Sequence, residues 1–378
     1  MTSIPFDIKA VPRFGSLIDL FKNNFENDLE LGAQFFAMQK GEILVDLKGG
    51  WTDRAQKHPV THETLFSIFS AGKAVAAIII AHLVDQDRIG YNQHVASVWP
   101  EFGTHGKETL SIAELMSHQS GLSGITEPDW TAMDWYDWEK TAQTLAAQSP
   151  IFEPKSASGY SPQTYGFLAG EIARRSDTHG RSLGAILRQD FAQPHNLDIW
   201  IGLPASEHER CADMMKPRRL ADLGDHNAAT SAAFLTKGAA PARNNLAIWR
   251  EAEFAGSNCH ANAESLSRLM AILIDGKING EQFLAQDTLA EIRRPRISGP
   301  DQVLPFDINF CAGLMQNAPN FIYGPNPEAL GHSGWGGSCV FADPDTGISG
   351  AYVMSRQDNS LMGDKRPVGL INALYAAL

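Results

Sequence analysis

Residues 65–80 read LFSIFSAGKAVAAIII, a run apolar enough for a protein core but for Ser70 and Lys73. Helical spacing begins near Ser70 and continues through Val75, Ile78, Ile79, Leu83 and Val84. Residues three apart share a helix face, so Ser70 and Lys73 are expected to point the same way. Ser70 would then stand at a helix N-terminus, where unpaired N–H groups favour a negative oxygen. A lysine in a partly desolvated cleft loses proton affinity and becomes a base near neutral pH. On these two residues alone, a capping serine followed by a lysine reaching to solvent is the preferred reading. Against it, Ser70 is the only serine in the chain with a lysine three positions on.

Outward from this segment, the pattern falls into three zones. Before it, VPRFGSLIDLFKNNF has helical spacing, and AQFFAMQ and EILVDLKGG are β-prone runs parted by Lys40 and Gly41. From Ser70 to about Arg296 the patterns are mostly helical, with Gly- and Pro-rich breaks. The end returns to strand material in CAGLMQ, GGSCVFADP and GISGAYVMSR, the last two joined by Pro344-Asp345-Thr346-Gly347, and closes on a helical PVGLINALYAAL. The expected fold is α/β (α+β). One antiparallel sheet is built from residues 1–69 and 297–378 and flanked by helices, with a mainly helical insertion over 70–296. The two parts would form one unit with the site between them.

Bulk properties narrow the function classes. The chain has 378 residues, 43% hydrophobic content and a net charge of −12. That balance gives a real core and argues against nucleic-acid or anionic-membrane partners. Cys211, Cys259, Cys311 and Cys339 have no metal spacing and no CxxC pairing, and read as small buried apolar residues. The N-terminal MTSIPFDIKAVPRF lacks a basic region followed by an apolar one, and the apolar run AVAAIII is too short to span a bilayer. The expected location is the cytoplasm. None of the 12 histidines falls in H-E-x-x-H or a comparable cluster, so neither a metal nor a cofactor is expected. No lipase-type G-x-S-x-G occurs.

Three further stretches carry a resemblance. ELMSHQSGLSG from Glu114 is similar to the LLxHxSGL signature of serine β-lactamase-like proteins. FEPKSASGYSPQTYGFLAGEIARR from Phe152 resembles their Y-S-N segment, and EALGHSGWGGSCVFADPDTG from Glu328 their K-T-G or H-x-G strand. Together with S-x-x-K, in this order, they resemble class C β-lactamases, penicillin-binding relatives and above all family VIII carboxylesterases, from about Gly32 to the C-terminus. That family's fold is an α/β sheet with an inserted helical domain. The resemblance implies Ser70 as nucleophile, with Lys73 and Tyr160 as proton-relay partners, either of which could take the serine proton. It implies an oxyanion hole from the backbone N–H groups of Ser70 and Trp335, and substrate contacts at His332, Ser333, Gly334 and Trp335. His118 is expected to be a structural hydrogen-bonder and Tyr165 a core residue.

Two departures bear on the activity. Pro162 stands where the family has the asparagine of Y-x-N, and His332 where β-lactamases carry a cationic lysine. Both suit an uncharged small-molecule ester better than a β-lactam carboxylate. The expected activity is that of a carboxylesterase-type serine hydrolase acting through an acyl-enzyme. A β-lactamase or D,D-peptidase, an acyltransferase or amide hydrolase, and a non-catalytic binding module are the alternatives. The stretch DWTAMDWYDWEK from Asp129 is read as a surface helix packed by its tryptophans, with a mobile flap as the other reading.

Overall fold

The computed structural model describes residues 3–241 and 245–378. Among them, nine strands form one antiparallel sheet: β1 (Phe6–Ala10), β2 (Gly32–Gln39), β3 (Glu42–Gly50), β4 (Ile297–Pro300), β5 (Asp307–Phe310), β6 (Met315–Gln316), β7 (Leu330–Ser333), β8 (Cys339–Asp343) and β9 (Ile348–Met354). Their order across the sheet is β1-β3-β2-β9-β8-β7-β6-β5-β4, so the two ends of the chain meet where β2 pairs with β9. Local chemistry sets both hairpins beside that seam. Lys40 and Gly41 turn between β2 and β3 with φ of 49° and 90°, the left-handed pair that matches strand twist. Between β8 and β9, the Asp343 carboxylate accepts the Asp345 N–H at 3.0 Å.

Alternation along the central strands buries both faces of the sheet. Ala33, Phe35, Phe341 and Tyr352 meet α1 (Gly15–Glu26) and the C-terminal helix on one side. α1 buries Leu17, Phe21 and Phe25, a four-residue spacing that keeps them on one face. Phe36, Val340, Ala351 and Val353 belong to the larger core on the other side. At its centre is α2 (Gly72–Asp85), buried on nearly all sides and therefore apolar all round.

The sheet strands come only from residues 6–50 and 297–354, and the helices of the middle span are not confined to a separate layer. α3 (Thr164–Ser176) packs on α2, whereas α4 (Ala263–Met270) lies directly on β2, β8 and β9. The cause is visible at Gln34, whose amide oxygen accepts the Ala263 N–H at 2.9 Å and ties the start of α4 to the sheet. The tryptophan-rich stretch lies at the surface and is anchored to the core by its tryptophans. Trp130 and Trp135 are buried, and the Trp135 indole donates to the Gly238 carbonyl at 2.7 Å. No described helix is long and apolar enough to cross a membrane.

Candidate active site

Ser70 lies in the single turn Phe69–Ala71, which leads from the short strand Phe66–Ser67 into α2. The turn is held from outside, because the Ile68 N–H donates to the Cys259 carbonyl at 2.9 Å. Immediately before Ser70, Phe69 has φ of 48°, a left-handed conformation that costs energy for a bulky residue. The surrounding contacts hold that conformation and present the serine hydroxyl at the mouth of α2.

Lys73, one turn on, is fully buried. Its Nζ lies 3.1 Å from Ser70 Oγ and donates to the carbonyls of Pro162 at 3.0 Å and Gly256 at 2.7 Å. Among the described residues no carboxylate pairs with it. Desolvation therefore dominates and lowers its pKa well below that of a free lysine. A neutral amine has two N–H bonds and one lone pair. With both N–H groups taken by carbonyls, the lone pair remains for the serine hydroxyl.

Tyr160 comes from the loop before α3. Its ring stands 4.8 Å from Lys73 Nζ, and its hydroxyl is hydrogen-bonded to Ser70. Burial raises its pKa, and the Ser70 hydrogen bond offsets only part of that rise, so the phenol is protonated at neutral pH. Its backbone N–H donates to the carboxylate of Asp301 at 3.0 Å, and the same carboxylate accepts the N–H groups of Val303 and Leu304 at 2.9 Å. Asp301 thus fixes the loop that carries the tyrosine. His118 is buried beneath it and accepts the Ser161 N–H on Nδ1 at 3.2 Å. Desolvation, with the nearby Lys73 and His332, holds its pKa well below the usual histidine value.

The fourth wall is the end of β7. Gly334 is pressed against the nucleophile turn: a Cβ there would stand 2.3 Å from the Ile68 carbonyl oxygen and 2.1 Å from Ser338 Oγ. Ser338 in turn donates to the Ile68 carbonyl at 2.6 Å, which clamps the strand end to the turn. The backbone N–H groups of Ser70 and Trp335 make no backbone hydrogen bond among the described residues. Trp335 is half-buried, with the Phe234 ring 6.2 Å away.

His332, one of the substrate contacts implied by the resemblance, lies below the surface of the site. It is 1% exposed, its Nδ1 donates to the Ser333 carbonyl at 2.9 Å, and its ring lies 6.1 Å from that of Tyr160. Burial, with the Lys73 amine adding to it, lowers its pKa to about 3. It is a neutral group under the site. Ser333 is also buried, within 3.3 Å of the Tyr323 hydroxyl. Tyr165 sits in the core beside His118.

Two members of the site escape sequence reasoning. Gly256 contributes only a carbonyl, which every residue has, so nothing in AGSNCH marks it. Asp301 acts on backbone N–H groups from a loop 141 residues away from Tyr160. An acidic residue after Ser-Gly-Pro is too common to single out.

Comparison with known proteins identifies relatives of the whole chain. A family model for Beta-lactamase matches residues 21–373. The chain is 31% identical over 361 residues to the Esterase/beta-lactamase LipL of Mycobacterium tuberculosis, covering 92% of this chain and 82% of that protein. Among solved structures, a penicillin-binding protein homolog from Caulobacter crescentus superposes with a TM-score of 0.94 at 48% identity, over 98% of this chain and 100% of the other. A family VIII carboxylesterase superposes with a TM-score of 0.91 at 37% identity, again over 98% and 100%. With a match that runs nearly end to end, the chain belongs to the Beta-lactamase family.

Proposed function

We propose that the protein is a serine hydrolase that cleaves carboxylic esters through an acyl-enzyme on Ser70. The observation that carries this reading is the buried Lys73 amine, with its N–H groups spent on Pro162 and Gly256 and its nitrogen 3.1 Å from Ser70 Oγ. Ser70 Oγ attacks the ester carbonyl while its proton passes to Lys73. The carbonyl oxygen gathers negative charge between the N–H groups of Ser70 and Trp335. Tyr160, protonated and hydrogen-bonded to Ser70, relays a proton to the departing alkoxide, which leaves as the alcohol. Water then attacks the acyl carbonyl by the reverse route and releases the acid. The same four residues serve both halves of the cycle.

The preference for an ester over a β-lactam rests on position 332. A buried histidine with its pKa near 3 supplies no cation for a substrate carboxylate. An uncharged ester needs only the oxyanion donors and an acyl pocket, for which Trp335 and Phe234 provide apolar walls. Likeness to the family VIII carboxylesterase supports the same choice. Steady-state kinetics on short p-nitrophenyl esters and on a chromogenic cephalosporin test it. The esters should exceed the cephalosporin in kcat/KM by orders of magnitude, and comparable efficiency on both would overturn the assignment.

A further inference from the structure

Behind the loop that follows Trp335 lies a groove of about 680 Å³, within the range of small-molecule sites. Seven cationic side chains and two carboxylates line it, in a chain whose net charge is −12. Local pairing absorbs part of this excess. Asp28 is bracketed by Arg218 and Arg356, and Arg366 is buried against Glu30 and Asp364. Arg54, Lys216, Arg219 and Lys365 are exposed and have no ion pair or side-chain hydrogen bond among the described residues. Four unpaired like charges around one concavity repel one another and focus a positive potential into it.

Two buried donors on the same wall are also without partners. Arg356 Nε and Gln357 Nε2 find no acceptor, and Gln357 is only 5% exposed. Buried N–H groups without acceptors are uncommon, because each forfeits its hydration. Both unmet needs, charge and acceptors, have the same chemical complement. We propose that this groove binds a small polyanion, a molecule with two or more phosphate or carboxylate groups, held by Arg54, Lys216, Arg219 and Lys365 against Gln357.

The groove also adjoins the loop of the candidate active site. Gln357 packs on Gly336, where an added Cβ would come within 2.5 Å of its own Cβ. The Gly336 carbonyl accepts from Arg366 Nη2 at 2.7 Å and from the Asp358 N–H at 2.9 Å. An anion on this wall therefore lies against the peptide that follows Trp335. The polyanion is either an arm of the substrate or a separate effector. Its binding does not depend on the role assigned to Ser70.

Calorimetric titration of the whole protein with pyrophosphate, and separately with citrate, at fixed ionic strength is the test. Saturable binding of at least one is expected. The double variant Arg219→Glu/Lys365→Glu should weaken it about tenfold or more, since charge-assisted contacts are lost and reversed. Arg88→Glu/Lys277→Glu, which changes net charge equally outside the groove, should leave it intact. Absence of saturable binding for both probes, or equal weakening in the two double variants, would overturn the proposal. Kinetics then separates the sources. A substrate arm predicts that groove reversal raises KM for a hemisuccinate ester but not for p-nitrophenyl acetate. An effector predicts that pyrophosphate changes acetate turnover in the wild type and not in the groove variant.

Discussion

The amine of Lys73 donates to the carbonyl of Gly256 at 2.7 Å, across 183 residues of sequence. That contact, with its counterpart at Pro162, directs the lysine lone pair at Ser70 and lets the amine stay uncharged without leaving an N–H unpaired. On the proposed mechanism, these two carbonyls leave the lysine free to act as a base, where a salt bridge would have favoured the cation.

Lys73→Arg should therefore lower turnover by on the order of 10²–10⁴, because a guanidinium cannot shed its proton. Raising the pH should not rescue it. In the wild type, kcat/KM should rise with pH through the lowered lysine pKa and then level off, since the neutral amine is the active form. A variant with near-normal activity, or a wild-type profile that falls as the lysine deprotonates, would exclude Lys73 as the base.

Covalent labelling addresses the nucleophile. A phosphonate ester should add mass to the peptide containing Ser70 and to no other. Ser70→Ala should remove activity by several orders of magnitude. Tyr160→Phe should cost on the order of 10²–10⁴, and combining it with Lys73→Ala should be little worse than the worse single change. Full additivity of the two losses would mean that they do not share a relay.

Asp301 separates positioning from chemistry. Its carboxylate accepts three backbone N–H groups and touches no atom of the proposed reaction. Asp301→Ala should destabilise the fold by about 1–3 kcal/mol by orphaning those donors. It should lower kcat through misplacement of Tyr160, without shifting the pH profile. A shifted profile with unchanged stability would point to a direct proton role instead.

The buried histidines set the response to acid. His332 and His260 have pKa values of about 3 in the fold, chiefly through desolvation, against 6.5 when free. Between these values the unfolded chain binds protons that the folded chain does not, so stability rises with pH in that window. The contribution of these two histidines to the urea midpoint should therefore be constant above about pH 6.5 and fall progressively as the pH drops toward 3. His332→Gln should flatten part of that slope. The same variant should leave the acid limb of the activity profile in place, because that limb belongs to Lys73. A limb that moves with His332 would reassign it.

Much of the protein was legible from residue pattern alone. Lys40-Gly41 between two β-prone runs, the Pro344 to Gly347 turn and the period of residues 70–84 each specify a local geometry through their own side chains and backbone preferences. The seam between the chain ends was legible too, because strands at both termini with helices between them have few other ways to bury their faces. Ser70, Lys73 and Tyr160 could be singled out because side chains carry the chemistry a motif records. The tertiary structure alone decided which way the proton affinities of Lys73, Tyr160 and His332 shift, because that follows from how deeply each is buried. It alone chose the Gly256 and Pro162 carbonyls and the Asp301 carboxylate as partners. A carbonyl has no residue identity, and desolvation is a property of what packs around a group, so neither leaves a mark in the order of amino acids.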